Sequence, residues 1–416
     1  MRFVEPTFNP GYVNPHKAKT MKGNFFLVIV CCFFLLSSIS TVSGRETVTL
    51  GESCALTGPT SFLGTEMHRG ANGYFARHAP EIMLKVKDDG YEPGRCRANT
   101  QEFISQGVDA LFGYVGTPTS KVAVPLATLN KKIFFGAFTG ASFLSDVNIN
   151  PYSFSVRGSY NAEIENMMRH FRDDLGITKI GLFVQRDAFG LAGVRGAVRA
   201  EKLVKGIKII PAVPEIPAAD APKKEWRKFW KSVPNYRRNT VSVGQGVRQI
   251  KGNGVQAVIL VGAYRPCATA INKWHDLGFN GPMINISFVG SMGLATRLHK
   301  TDNVFVSQVV PDPWDSSLAV VREYQHDLGD GAYGFVSLEG YIAAKIFHQA
   351  VSAINGKVTS DSIRAALETM TDYDAGGIKI TFGPNDHRGM NSVYLTGISK
   401  NGKDIRFTYI GSLQED

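Results

Sequence analysis

Glycines and hydroxyls recur at three points where a short apolar run gives way to an amphipathic stretch. They are residues 55–59 (ALTGP, running on through Phe62 and Gly64), 113–119 (GYVGTPT) and 138–141 (FTGA). In an open α/β sheet such points are strand ends. There the free backbone N–H groups and the positive end of the next helix dipole face outward and favour an anion. Gly116 permits close backbone approach. Thr117 offers a hydroxyl at the helix N-cap and Pro118 suits the first helical position. A plain cap explains Thr117 as well, and the two roles are compatible. Phe138 and Thr139 repeat the pattern at the next strand end. A later series offers Phe189, Tyr264 and Ser287-Phe288 at equivalent points, where aromatic rings either cover the apolar part of a ligand or pack a core.

Residue patterns for covalent or metal chemistry are missing. The chain has no HExxH, CxxC or clustered histidine for a metal. It has no GxSxG, no GxGxxG after a strand, and no His–acid pair at useful spacing. Neither an enzyme nor a cofactor is expected.

The elements that must hold these loops alternate in type. Apolar runs at 48–54, 82–86, 110–115 and 133–138 read as strands, with helical stretches at 64–77, 97–105 and 119–130 between them. A second series has helices at 161–175, 190–203 and 268–277, with strands at 179–184, 207–213, 255–261 and 283–286. A strand near 303–308 and helices at 316–326, 336–355 and 360–369 follow. Short strands at 377–382, 393–398 and 405–410 close the chain and read as antiparallel. The fold class is therefore α/β, with two doubly wound parallel-sheet lobes. The Pro-, Lys- and Trp-rich stretch 215–252 is too long for a tight connection and reads as a surface insertion with a broken helix.

The N-terminus carries a twelve-residue apolar run, FFLVIVCCFFLL at 25–36, after Lys22 and before the small residues Val42-Ser43-Gly44. Twelve residues fall short of a bilayer span. The pattern is a secretory signal peptide cut near Gly44, with Met21 as the expected true start. Cys31 and Cys32 lie inside the run, so no lipid anchor is expected. The net charge is +10, of which residues 1–44 carry +3 (Arg2, Lys17, Lys19 and Lys22 against Glu5), leaving +7. The densest basic segment, 223–238, is local and reads as a solvated surface rather than a nucleic-acid face. Three cysteines remain: Cys54, Cys96 and Cys267. A Cys54–Cys96 disulfide across adjacent strand ends and three free buried thiols both stay open.

The stretches SCALTGPTSFLG, DDGYEP, ALFGYVGTPTS, FFGAFTGASFL, FSVRGSY, QRDAFGLAG and FVSLEGYIAAKIF occur in order from residue 53 onward. In them the chain resembles the branched-chain amino acid type of periplasmic solute-binding protein, a type I periplasmic binding fold of ABC transporters. The resemblance implies two hinged lobes, 45–157 with 289–372 and 158–288 with 373–416, closing on a small carboxylate or amino-acid-like ligand. It implies that Gly116, Thr117, Phe138 and Thr139 receive the carboxylate and that Phe62 and Leu63 cover the side chain. Phe189 and Tyr264 would be second-lobe contacts, and Phe335 a further pocket-lining aromatic; Ser287 is a candidate contact from its strand-end position alone. It also implies a periplasmic monomer that docks on ABC permease subunits; a ligand-sensing module of the same fold is the alternative. One departure concerns charge. Where amino-acid-binding members place an acid for the ligand ammonium, this chain has Asn285-Ile286-Ser287-Phe288. Asp187 and Glu339 are the substitutes to weigh, since an unpaired buried ammonium is expensive.

Overall fold

The computed structural model describes residues 47–413, so the expected signal peptide, Met21, Cys31 and Cys32 lie outside the described residues. Strand β1 (Val48–Cys54) is buried along nearly its whole length, Glu52 included. It runs parallel to β2 (Ile82–Asp88) over seven residue pairs and to β3 (Ala110–Phe112) on its other side. β4 (Ile133–Phe135) and β5 (Ser153–Phe154) complete a five-stranded sheet in the order β2-β1-β3-β4-β5. Helices α1 (Ser61–His78), α2 (Pro93–Ser105) and α3 (Thr117–Leu129) connect its strands. The Ala79-Pro80 turn leaves the β1–β2 register intact.

The second sheet is built the same way. α4 (Tyr160–Arg169) leads to β6 (Lys179–Gln185), then α5 (Ala188–Leu203) to β7 (Lys208–Ile209). α6 (Lys223–Ser232), β8 (Asn235–Tyr236) and α7 (Gly244–Lys251) precede β9 (Ala257–Val261). α8 (Tyr264–Asp276), β10 (Met283–Asn285), α9 (Ser291–Ala295) and β11 (Val304–Gln308) follow. The eight-stranded order is β15-β14-β11-β10-β9-β6-β7, with β8 pairing β6. Its last two members, β14 (Val393–Asn401) and β15 (Asp404–Leu413), are antiparallel, as the sequence predicts.

Four expectations need correction. The chain does not return to the first half directly after Phe288, because β11 pairs β10 in parallel and so stays in the second sheet. α10 (Ala319–Leu328), α11 (Phe335–Ser352) and α12 (Ser360–Glu368) come after it, and α11 packs on α1. The sequence places residues 373–390 with the second lobe. Instead β12 (Tyr373–Asp374) and β13 (Lys379–Ile380) form their own hairpin. The ring of His387 then stacks on Phe154 of the first sheet at 3.7 Å. Finally, the 215–252 insertion is not only surface. It supplies β8 to the sheet, and Phe229, Trp230, Tyr236, Val247 and Ile250 are buried. The strand expected at 207–213 shrinks to two residues, since its continuation meets Pro211, which has no N–H for the ladder.

All three described cysteines are free and buried. The Cys54–Cys96 disulfide is not formed: the Cys54 thiol points to the Gly64 carbonyl and the Cys96 thiol to the Thr119 carbonyl.

Candidate functional site

The carboxyl ends of β3 and β4 bring the expected threonines together. The Thr117 and Thr139 hydroxyls are 2.7 Å apart and both residues are buried. The helix cap differs from the expectation. Gly116 is the N-cap of α3 and Thr117 its first residue, with no side-chain cap bond, so the hydroxyl turns to Thr139 instead. Gly116 has φ +101°, and a Cβ there would sit 2.2 Å from the Tyr91 ring. That position needs glycine for both conformation and space. The Tyr160 hydroxyl lies next to Thr139 without a formed hydrogen bond, and burial pushes its pKa up to about 12.

An aromatic cluster lies beside this hydroxyl group. The Phe288 ring is 4.5 Å from Phe189, 5.4 Å from Phe138 and 5.9 Å from Tyr91. Phe189 in turn lies 5.4 Å from Tyr160. Phe62 meets Tyr264 edge-on at 5.7 Å, and Leu63 packs tightly on Gly290. Phe335 stands elsewhere: its ring partners are Trp314 and Phe407. It opens α11, the helix that carries Glu339 one turn later.

Ser287 is not an open polar group. Its N–H and its hydroxyl both donate to Glu163, at 2.8 and 2.9 Å, and Ser307 donates to the same carboxylate. Burial raises the Glu163 pKa, while Arg157 and these donors hold it down. Arg157 donates to the Ser287 hydroxyl from Nη2 and approaches Glu339 to 3.3 Å with Nη1. Its guanidinium lies 4.8 Å from the Phe138 ring centre and 5.9 Å from that of Tyr160. Burial pushes the Glu339 pKa up to about 7, against the pull of Arg157 and with the repulsion of Glu163. Of the two acids weighed as ammonium partners, Asp187 caps α5 by accepting from the Phe189 N–H and also pairs with Arg238. Glu339 faces Arg157.

Sequence reasoning did not single out Arg157, Tyr160 or Glu163. Arg157 obeys the same strand-end rule that marks Thr117 and Thr139, but its strand, β5, has only two residues and no readable period.

A set of contacts joins the two sheet systems at one edge. The Gln185 amide donates to the Tyr91 hydroxyl at 3.1 Å. Asn239 donates to the Gly90 carbonyl at 3.1 Å and to Glu92 at 2.7 Å, and Arg238 donates to Glu92 at 2.7 Å. The middle of the insertion thus forms a clasp on the DDGYEP motif. An open cavity of about 300 Å³ leads to Thr117 and Tyr160, with Lys121 and Arg195 in its lining and no acid among the described lining residues. A larger cavity of about 450 Å³ lies against α6, lined by residues such as Ile216 and Phe229 rather than by strand ends.

Among the described residues no group of His, Cys, Asp and Glu is placed to hold a metal, and no helix is long and apolar enough to cross a membrane. No curated protein matches the chain. The structure of a possible leucine/isoleucine/valine-binding protein from Rhodopirellula baltica SH 1 is 33% identical. It matches over 87% of this chain and 96% of that one, with a TM-score of 0.75. A substrate-binding periplasmic protein from Ralstonia solanacearum shares the fold at 23% identity and TM-score 0.72, over 87% of this chain and all of that one. A fatty acid ABC transporter substrate-binding protein from Thermomonospora curvata does so at 16% and 0.75, over 89% and 93%. The family model described as periplasmic binding protein matches residues 47–403. By fold, by that match and by the Rhodopirellula relative, the chain belongs to the periplasmic binding protein family, whose members bind solutes rather than transform them.

Proposed function

We propose that this chain is the extracytoplasmic receptor of an ABC importer and that its two lobes close on a small carboxylate-bearing or amino-acid-like solute. The observation that carries the reading is the Thr117–Thr139 hydroxyl pair at the start of α3, reached through a cavity with Lys121 and Arg195 in its lining. Hydroxyls, a helix N-terminus and two cations together suit a carboxylate. The Rhodopirellula relative supports the ligand class, since leucine, isoleucine and valine all carry one. The first lobe comprises the five-stranded sheet with α1, α2, α3, α10, α11 and α12, and the second the eight-stranded sheet with its helices. Phe62, Leu63, Gly116, Phe138, Phe189, Tyr264 and Ser287 border the cleft, whereas Phe335 lines it at most through its neighbour Glu339. The receptor works as a monomer, is exported by the N-terminal segment, and presents its closed form to permease subunits.

A thermal-shift panel tests this. Carboxylates, amino acids, amides and neutral sugars are added to the chain beginning at residue 45. Binding to the folded form alone stabilises it by about 2.7 kcal/mol at a hundredfold excess over Kd. A saturable rise in Tm is expected from carboxylate-bearing compounds only. A rise with sugars and none with carboxylates refutes the reading.

A further inference from the structure

The cavity that leads to Thr117 and Tyr160 has two unlike ends. Its inner end carries hydroxyls. Thr117 and Tyr160 are 2% and 1% exposed, and Thr117 bonds Thr139. The Tyr160 hydroxyl has no hydrogen-bond partner. A buried phenol without an acceptor is costly, and a neutral tyrosine has a proton to donate. α3 opens at the same end with no side-chain cap, so its first N–H groups meet no side-chain acceptor.

The outer end is cationic. The lining follows one face of each of two helices. On α3 it runs from Thr117 to Lys121, and on α5 from Ala188 through Leu191 to Arg195. Lys121 and Arg195 are exposed, and among the described residues neither has an ion-pair partner. The Lys121 ammonium lies 5.2 Å from the centre of the Phe143 ring, itself part of the lining. An aromatic face, not an acid, therefore holds it at the mouth. Asp187, the acid at the start of α5, is taken by the Phe189 N–H and by Arg238. Between the ends, Leu191 and Phe143 supply an apolar wall, and the polar pair Asn161 and Ser142 bond each other at 3.1 Å.

One carboxylate cannot serve both ends. Along the helix axes Lys121 stands about 6 Å beyond Thr117, and Arg195 about 10 Å beyond Ala188. With C–C bonds of about 1.5 Å, an extended chain of about six to eight carbons covers that span.

We propose that this cavity takes a linear α,ω-dicarboxylate of about six to eight carbons, with one carboxylate on the Thr117 and Tyr160 hydroxyls and the other between Lys121 and Arg195. This rests on the receptor reading above and names its solute class. The alternative is a monocarboxylate whose apolar tail lies along Leu191 and Phe143, with both cations simply solvated.

Calorimetric titration of the purified chain with three matched pairs decides between them: hexanedioate with hexanoate, octanedioate with octanoate, and butanedioate with butanoate. Hexanedioate or octanedioate is expected to bind about tenfold tighter than its monoacid, the worth of two partly exposed ion pairs. The margin should shrink between about 20 and about 500 mM salt. Butanedioate, too short to reach both ends, should gain less than about threefold over butanoate. In the Lys121→Gln, Arg195→Gln double variant the tenfold margin should fall below about threefold. The Tm of the unliganded variant is measured alongside and should match the unsubstituted chain, since neither side chain has a partner acid. Monoacids binding as tightly as their dicarboxylates overturn the proposal, and so does a margin that survives in the double variant or is as large for butanedioate. These results leave the receptor reading standing. Absence of binding by all six compounds overturns this proposal together with the carboxylate part of that reading.

Discussion

Replacing Glu339 with glutamine should stabilise the protein at alkaline pH and leave it nearly unchanged at pH 5. Glu339 lies on α11, facing Arg157 at 3.3 Å with Glu163 beyond it. Burial pushes its pKa from 4.5 up to about 7, because the charged form loses its water at a cost larger than the attraction of Arg157, and Glu163 adds a smaller repulsion. Between those two values the folded protein holds a proton that the unfolded chain has released. Stability contributed by the neutral acid is therefore present below pH 4.5, falls as the pH rises to about 7, and stays low beyond it. A tenfold change in proton affinity corresponds to about 1.4 kcal/mol, so the full loss is on the order of 3 kcal/mol at most. Glutamine keeps the shape and a neutral polar end without titrating. The difference between the two proteins isolates this group from other buried acids such as Asp89, whose pKa burial pushes up to about 6. Tm is measured by scanning fluorimetry from pH 5 to pH 9 for both proteins. The curves should coincide at pH 5 and separate through neutrality, with the variant higher by about 5 °C at pH 9. Parallel curves across the whole range would show that Glu339 is not held in a desolvated, proton-retaining state.

Three further outcomes are expected. Thr117→Ala removes one hydroxyl of the proposed carboxylate cradle and should weaken carboxylate binding by about 10- to 100-fold, the worth of a hydrogen bond to a charge; calorimetry showing an unchanged Kd would remove Thr117 from the site. Asn239→Ala breaks the bonds to Gly90 and Glu92 and should reduce ligand affinity by about tenfold. Small-angle scattering should then show a larger radius of gyration without ligand, and identical scattering and affinity would show that the clasp plays no part in closure. Gly70→Ala places a Cβ 1.8 Å from the Ser337 carbonyl where α1 crosses α11, and should cost about 3 kcal/mol or more; a wild-type urea midpoint would contradict that close crossing.

Much of this molecule is legible along the chain. Short β-rich runs between amphipathic stretches announce parallel sheets with covering helices, because burial on both faces demands continuous apolar strands while helices bury one stripe. Gly116, Thr117 and Thr139 are readable for a related reason. Strand-end loops need glycine and hydroxyls locally, and the fold always turns those ends to one edge. Phe189, Tyr264 and Ser287 follow from the same rule, although a single sequence does not say whether each ring covers a ligand or a core.

Other features exist only once the chain is folded. β5 and β8 have two residues each, too short for any period, and both are defined by the neighbours they pair with. β11 belongs to the second sheet because it lies parallel to β10, a choice that its own residues do not encode. The insertion reads as a solvated basic loop, yet its middle reaches the DDGYEP turn through Arg238 and Asn239. Arg157, Glu163, Ser287 and Glu339 come from four separate elements. Periodicity reports which face of a segment is buried, and charge partners distant in sequence become neighbours only through the packing of whole sheets and helices. That is why the strand-end threonines are visible in the amino-acid order, whereas the buried charge cluster beside them is a property of the tertiary structure.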